Sequence, residues 1–326
     1  MKIAVIGAGA WGTALANLLA QNNHRVTLWA HNAARADEIR ETGRNERYLP
    51  GIDLSSALEA EANLQKAVSG ADCAVIALPS KAFREVTAQL ADFAGIAVSV
   101  TKGIEFESGL TMSGILRETM PRAIPAALSG PTLAAEVARG FPAAIVAAAD
   151  QESTARQVQD AFHRPNFRVY TCNDLPGVEL GGALKNVIAI AAGMCDGLGF
   201  GDNSKAALVT RAIAEIRRLG VVCGARTETF SGLSGLGDLM VTCFSRLSRN
   251  HTFGERIGRG EKVETLMESA ITIAEGYPTA RSAHRLAQKM NVETPIIEEV
   301  YATLYENKPI RQALQELMQR DLKAED

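Results

Sequence analysis

The sequence predicts a doubly wound α/β domain with a mostly parallel sheet over residues 1–175, followed by an all-helical domain over residues 176–326. Three observations predict it. Short apolar, β-branched runs alternate with helical stretches through the first half, as strands joined by crossover helices do. The strand signal fades after about Tyr170, and the remainder of the chain reads as helices. At 326 residues the chain also has the length of two domains, because one core usually serves about 100 to 200 residues.

Lys2 to Ile6 is a short strand run, and Gly7-Ala8-Gly9-Ala10-Trp11-Gly12 comes next as a tight turn. Gly12 to Gln21, rich in Ala and Leu, reads as a helix, and Arg25 to Trp29 alternates as a second strand. These make one βαβ unit, which requires parallel strands. Further buried strands are expected at 73–78, 96–100, 126–129 and 143–148, each followed by a helical or loop stretch. The composition changes near residues 173–177, where Asn173-Asp174 and Pro176-Gly177 supply turn chemistry. Helices are then expected at 178–194, 204–223 and 235–243, with a basic turn near Arg249 and amphipathic stretches to the end.

A net charge of -3 without clustered Lys and Arg argues against a nucleic-acid or anionic-membrane partner, since phosphate-rich surfaces select basic patches. Five cysteines lie scattered with no Cys-x-x-Cys pair, so neither a metal site nor a disulfide framework is expected, and a reducing, cytoplasmic setting suits the chain. Residues 3–20 are uncharged and mostly apolar behind Lys2, the outline of a secretory signal. The glycines at 7, 9 and 12 interrupt that run and a folded pattern continues beyond it, so the segment is taken as structure. No other segment is long and apolar enough to span a bilayer, and no membrane insertion is expected.

The turn Gly7-x-Gly9-x-x-Gly12, between a strand and a helix, has the spacing of a dinucleotide-binding turn in a Rossmann-type domain. Gly7 permits the turn, Gly9 lets a pyrophosphate approach the backbone, and Gly12 lets helix and strand pack closely. Trp11 either packs or touches the cofactor. About 20 residues past such glycines, an acidic side chain would bind the ribose 2′-hydroxyl of NAD. Here the second strand runs into His31 and Asn32, with Arg35 nearby and no acid until Asp37. NADP as well as NAD is therefore expected as cofactor, with NADPH accepted and His31 the natural contact to a 2′-phosphate or the adenosine.

Hydride transfer at a nicotinamide needs a group that moves a proton at the substrate. Lys102 and Lys185 are the candidates, both in apolar, glycine-rich surroundings that favour base chemistry over a solvated face. Lys185 is expected at the start of a buried helix, because Val187 to Ala192 are wholly apolar. Ser248-Arg249-Asn250 offers a hydroxyl, a forked guanidinium and an amide to a phosphorylated substrate, or else forms an exposed polar turn. Asp238 either caps a helix or pairs with Lys185 or a substrate hydroxyl. Ser129-Gly130-Pro131-Thr132 ends a strand, with Thr132 expected to begin a helix.

Taken together, GAGAWGTALA at the start, Thr101-Lys102-Gly103, Ser129 to Thr132, Gly181 to Val187, Gly235 to Leu239 and Ser248 to Asn250 resemble the bacterial-type NAD(P)-dependent glycerol-3-phosphate dehydrogenases. These segments cover nearly the whole chain in order. The resemblance implies reduction of dihydroxyacetone phosphate to sn-glycerol 3-phosphate for phospholipid synthesis, by a cytoplasmic homodimer. It also implies that Lys185 is the proton acceptor and that Lys102, Gly130, Thr132, Asp238, Ser248, Arg249 and Asn250 contact substrate. Around the cofactor it places Gly7, Gly9, Ala10, Trp11, Gly12, His31, Lys102, Ala134, Arg249, Ile273 and Glu275. Position 10 is Ala where some relatives carry Ser, so backbone contacts must serve there. The nearest rival expectation is a hydroxyacid or ketopantoate-type reductase of the same architecture.

Overall fold

In β1 (Lys2–Ile6) four of five residues are buried, with Ile3 and Val5 on one face and Ala4 and Ile6 on the other. Both faces of this strand are covered, which is why the run is apolar without alternation. The computed structural model describes residues 1–269, 274–322 and 324. These divide into two compact units, Met1–Gly103 with Leu110–Glu179, and Ile104–Gly109 with the chain from Leu180 onward.

In the first unit, β1 leads through α1 (Ala10–Gln21), β2 (Arg25–Trp29), α2 (Ala33–Thr42), β3 (Leu58–Glu61), α3 (Leu64–Val68) and β4 (Cys73–Ile76). It continues through α4 (Ser80–Ala88), β5 (Ile96–Ser99), α5 (Met112–Thr119), β6 (Ile124–Ser129), α6 (Ala134–Ala138), β7 (Ala143–Ala149), α7 (Glu152–Phe162) and β8 (Phe167–Cys172). The sheet order is β3-β2-β1-β4-β5-β6-β7-β8, parallel throughout except that β7 runs antiparallel to β6. The predicted doubly wound, mostly parallel sheet is therefore present. The order reverses between β1 and β4, the switch point outside whose carboxyl ends such sheets bind ligands.

Two strands depart from the sequence expectation. β3 is a short, acidic edge strand, Leu-Glu-Ala-Glu, with a single fully buried residue and no apolar run. β8 carries the chain two residues past Tyr170 and alternates, with Phe167 and Val169 buried between exposed Arg168 and Tyr170. Ser113 at the start of α5 donates from its backbone N–H (2.8 Å) and hydroxyl (2.5 Å) to the buried Glu179 carboxylate. Burial pushes the Glu179 carboxyl above its usual range.

The second unit is helical, as predicted: α8 (Leu175–Gly197), whose first turn belongs to the first unit, α9 (Asp202–Val222), α10 (Asp238–Phe244), α11 (Arg249–Gly258), α12 (Val263–Ser269), α13 (Gly276–Met290), α14 (Pro295–Tyr305) and α15 (Ile310–Met318). α8 is its axis, with Leu184, Val187, Ile188 and Ile190 fully buried. Contrary to the sequence expectation, this helix is long and apolar enough to cross a bilayer, and its apolar character serves the core instead, with 94% of its apolar window buried inside the protein. Ile104 joins the same core, and the Phe106 ring lies under the Arg281 guanidinium at 4.0 Å.

Candidate active site

The glycine turn sits at the carboxyl ends of β1 and β2. Ile6 pairs with Trp29, the Gly7 N–H donates to the Trp29 carbonyl at 3.1 Å, and the Ala77 N–H donates to the Ile6 carbonyl at 2.9 Å. Gly7 has φ +121°, and a Cβ there would overlap the Ala77 carbonyl. A Cβ on Gly12 would overlap the Gly7 carbonyl, so the turn and α1 pack as closely as backbone allows. Around Gly9, the residue before α1, a Cβ would meet nothing within 4 Å. A closely packed turn open at Gly9, leading into a twelve-residue helix, fits a dinucleotide pyrophosphate.

Trp11 is partly buried against the α/β core, and Ala134 opens α6, which packs on α1. His31 comes after β2 on the exposed surface, with its ring edge-on to Trp29 at 6.0 Å. Beside it Asn32 caps α2, and Arg35 pairs with Glu38. The Arg35 and Arg47 guanidinium carbons lie 5.7 and 5.5 Å from the Tyr48 ring. This gathering of cations beyond β2 is more than His31 and Arg35 alone suggest from the sequence.

At the ends of β5 and β6, three predicted residues converge on one carbonyl. Lys102 Nζ donates to the Gly130 oxygen at 3.3 Å, and the Thr132 hydroxyl donates to it at 3.2 Å. Thr132 does not begin the helix as expected: Pro131 to Leu133 stay non-helical and α6 starts at Ala134. Thr132 thereby keeps its side chain beside the strand end.

In the second unit Lys185 lies in the middle of α8, not at a helix start, because the apolar pattern continues upstream of it. It is 6% exposed. Its ammonium pairs with the fully buried Asp238 carboxylate and donates to the Thr242 hydroxyl at 2.6 Å. The Thr242 hydroxyl in turn donates to the Asp238 carbonyl at 2.6 Å, so it must accept from the lysine. Asp238 opens α10 and Thr242 comes one turn later on the same face. Burial pushes the neighbouring Cys243 thiol up to about 12, so it stays neutral and unreactive.

Next to Lys185, the Asn186 side-chain oxygen accepts from Asn250 Nδ2 at 2.9 Å, and Asn250 Oδ1 accepts from the Gly276 N–H at 2.8 Å. Among the described residues, one Nδ2 hydrogen of Asn250 has no acceptor. Ser248 caps α11, its oxygen accepting the His251 N–H at 3.2 Å, which leaves its own proton to donate. Arg249 is exposed in the first turn, so the basic turn expected there is a helix start. Glu275 immediately precedes α13, while Ile273 lies outside the described residues.

Two family models match this chain in tandem. Residues 2–155 match the NAD-dependent glycerol-3-phosphate dehydrogenase N-terminus, and residues 174–315 match the C-terminus of the same family. The chain belongs to the NAD-dependent glycerol-3-phosphate dehydrogenases. It is 49% identical over 330 residues to a glycerol-3-phosphate dehydrogenase [NAD(P)+] from Geobacter sulfurreducens, covering 99% of this chain and 98% of that one. One from Trichlorobacter lovleyi is 50% identical over 334 residues, covering 100% and 99%. A crystal structure of glycerol-3-phosphate dehydrogenase from Coxiella burnetii superposes with a TM-score of 0.94 at 37% identity, over 98% of this chain and 99% of that one. A ketopantoate reductase from Ralstonia eutropha, at 16% identity and a TM-score of 0.64 over 98% and 100% of the chains, shares the fold alone.

For this glycerol-3-phosphate dehydrogenase family member, Thr242 is the functional candidate the sequence reading missed. Its signal was available, four residues after Asp238 on an expected helix. Asn186 was visible only as part of a motif.

Proposed function

We propose that this chain catalyses reversible hydride transfer between NAD(P)H and dihydroxyacetone phosphate, giving sn-glycerol 3-phosphate. The observation that carries the proposal is the buried Lys185 ammonium held between Asp238 and Thr242, in a member of this family. When bound, the nicotinamide supplies or accepts the hydride at the substrate carbon. Lys185 gives its proton to the carbonyl oxygen during reduction and takes the proton of the secondary hydroxyl during oxidation. Asp238 and Thr242 fix the ammonium, so the proton leaves from one position.

Gly7, Gly9, Ala10 and Gly12 hold the pyrophosphate through backbone, with Trp11 and Ala134 flanking it. His31 serves the adenosine end, where the absence of an acid permits the 2′-phosphate of NADP. Lys102, Gly130 and Thr132 contact substrate from the strand ends, with Lys102 also close to the cofactor. The Arg249 fork binds phosphate and cofactor, helped by Ser248, Asn250 and the first turn of α11. Glu275 completes the cofactor set. The enzyme works in the cytoplasm, without membrane insertion, and feeds phospholipid synthesis. It is a homodimer, a reading supported by the exposed apolar Leu236, Met240 and Phe244, which recur every fourth residue, and by the nearby Leu247.

The deciding experiment monitors oxidation of NADPH and of NADH with dihydroxyacetone phosphate and with a series of 2-keto acids. Dihydroxyacetone phosphate is expected to be preferred by about 100-fold or more in kcat/KM. A preference for a 2-keto acid would overturn the proposal.

A further inference from the structure

Asn45 lies in the loop after α2. It is fully inaccessible, with its own carbonyl accepting from the Leu49 N–H at 2.8 Å and the Tyr48 N–H at 3.2 Å. Its side-chain Nδ2 donates to the Ala8 carbonyl at 2.9 Å and to the Thr13 hydroxyl at 2.8 Å. Its Oδ1 has no hydrogen-bond partner among the described residues. A buried amide oxygen without a donor costs stability that an apolar side chain would not. The amide orientation is nonetheless dictated, because only Nδ2 can satisfy a carbonyl.

The carbonyl it holds belongs to the one peptide that joins Ala8 to Gly9. In a planar trans peptide the C=O and N–H point in opposite directions, so tying the Ala8 oxygen to Asn45 turns the Gly9 N–H to the other side. Gly9 has φ −74° in this arrangement. Flipping the peptide needs only ψ of Ala8 and φ of Gly9 to change, and a glycine tolerates the positive φ that results. The flipped form presents a carbonyl oxygen where an N–H stood, at the entrance to α1. An N–H there attracts phosphate, whereas an oxygen repels it.

We infer that Asn45 is a positioning residue for the cofactor: by clamping the Ala8 carbonyl it keeps the Ala8–Gly9 peptide in the orientation that receives phosphate. The inference rests on the turn being a dinucleotide pyrophosphate site. The glycines that let phosphate approach also make the peptide easy to flip, and Asn45 removes that freedom from outside the motif.

The test titrates NADPH into the full-length chain by nicotinamide fluorescence, for wild type, Asn45→Ala and Asn45→Asp, with thermal unfolding of each unliganded protein alongside. Both variants are expected to raise Kd about ten-fold or more, with kcat at saturating cofactor within about two-fold of wild type. Asn45→Asp, which keeps the shape but exchanges the donor for an oxygen, is expected to be at least as impaired as Asn45→Ala. A role in packing alone predicts the reverse order, with the isosteric aspartate closest to wild type, and would overturn the inference. So would an unchanged Kd in a folded variant. If either variant fails to fold, Asn45→Ser takes its place, with a hydroxyl too short to reach both acceptors and the same loss expected. Wild type that binds neither NADPH nor NADH would instead defeat the underlying reading of the turn.

Discussion

Asp238 is fully buried and Lys185 nearly so, and an ion pair in that position is held by its partners rather than by solvent. Lys185→Ala is expected to lower kcat by about 10²- to 10⁴-fold while leaving the NADPH Kd within about two-fold of wild type. Unchanged turnover would remove Lys185 as the proton carrier. The same variant leaves Asp238 buried without its cation, which should cost about 3–5 kcal/mol in urea unfolding. The double change Lys185→Met with Asp238→Leu should cost less than either single one, and a simple sum of the two would argue against coupling. At the adenosine end, His31→Asp should lower the NADPH to NADH ratio of kcat/KM roughly ten-fold through repulsion of the 2′-phosphate. An unmoved ratio would show that His31 does not face that group. The sequence exposed these residues because a lysine in an apolar run and a missing acid are local signals. Asn45 was not legible, because nothing in its neighbours says that its amide reaches a turn 37 residues earlier.

Among the elements, α14 depends on a carboxylate from another helix. Glu215 of α9, 3% exposed, accepts the Ile296 N–H at 2.9 Å and the Ile297 N–H at 3.3 Å, capping the start of α14 from outside it. Burial raises its carboxyl from an ordinary 4.5 to about 7, against the opposing pull of these bonds. Between those two values the folded chain keeps a proton that the unfolded chain has lost, so folding binds protons. Stability from this group is therefore greatest below pH 4.5 and falls as pH rises towards 7, by roughly 3 kcal/mol in all. Glu215→Gln should flatten this part of the pH dependence, seen by comparing urea midpoints at pH 5 and pH 8 in both proteins. Equal slopes would sink the assignment. The sequence was a good guide to elements with continuous apolar runs, such as β1, β4 and β5, whose two faces are both covered. It was a poor guide to β3, which is too short and acidic to stand out. It was a poor guide also to β8, whose short alternating pattern contains no unbroken apolar run.

For the whole molecule, the sequence order of strand-rich and helix-rich halves sufficed for the architecture, because each half declares its period locally. The placement of Ile104–Gly109 in the helical unit was not legible there, since a six-residue loop carries no period. If the exposed apolar side chains of Leu236, Met240, Phe244 and Leu247 are the dimer surface, Met240→Glu with Leu247→Asp should halve the mass found by sedimentation equilibrium. An unchanged mass would locate the contact elsewhere or deny the dimer.

The Phe106 ring under Arg281, and the Phe106 carbonyl accepting from Arg285 at 3.3 Å, also bear on how such a chain can be taken apart or recombined. No single cut yields both units whole. A fragment that starts at Leu180 leaves behind Ile104 and Phe106, so α13 loses the ring and carbonyl that its arginines hold. Grafting this helical half onto another cofactor domain would thus require a short insert as well as a junction, and a recombination event with one crossover would inherit a unit missing a piece.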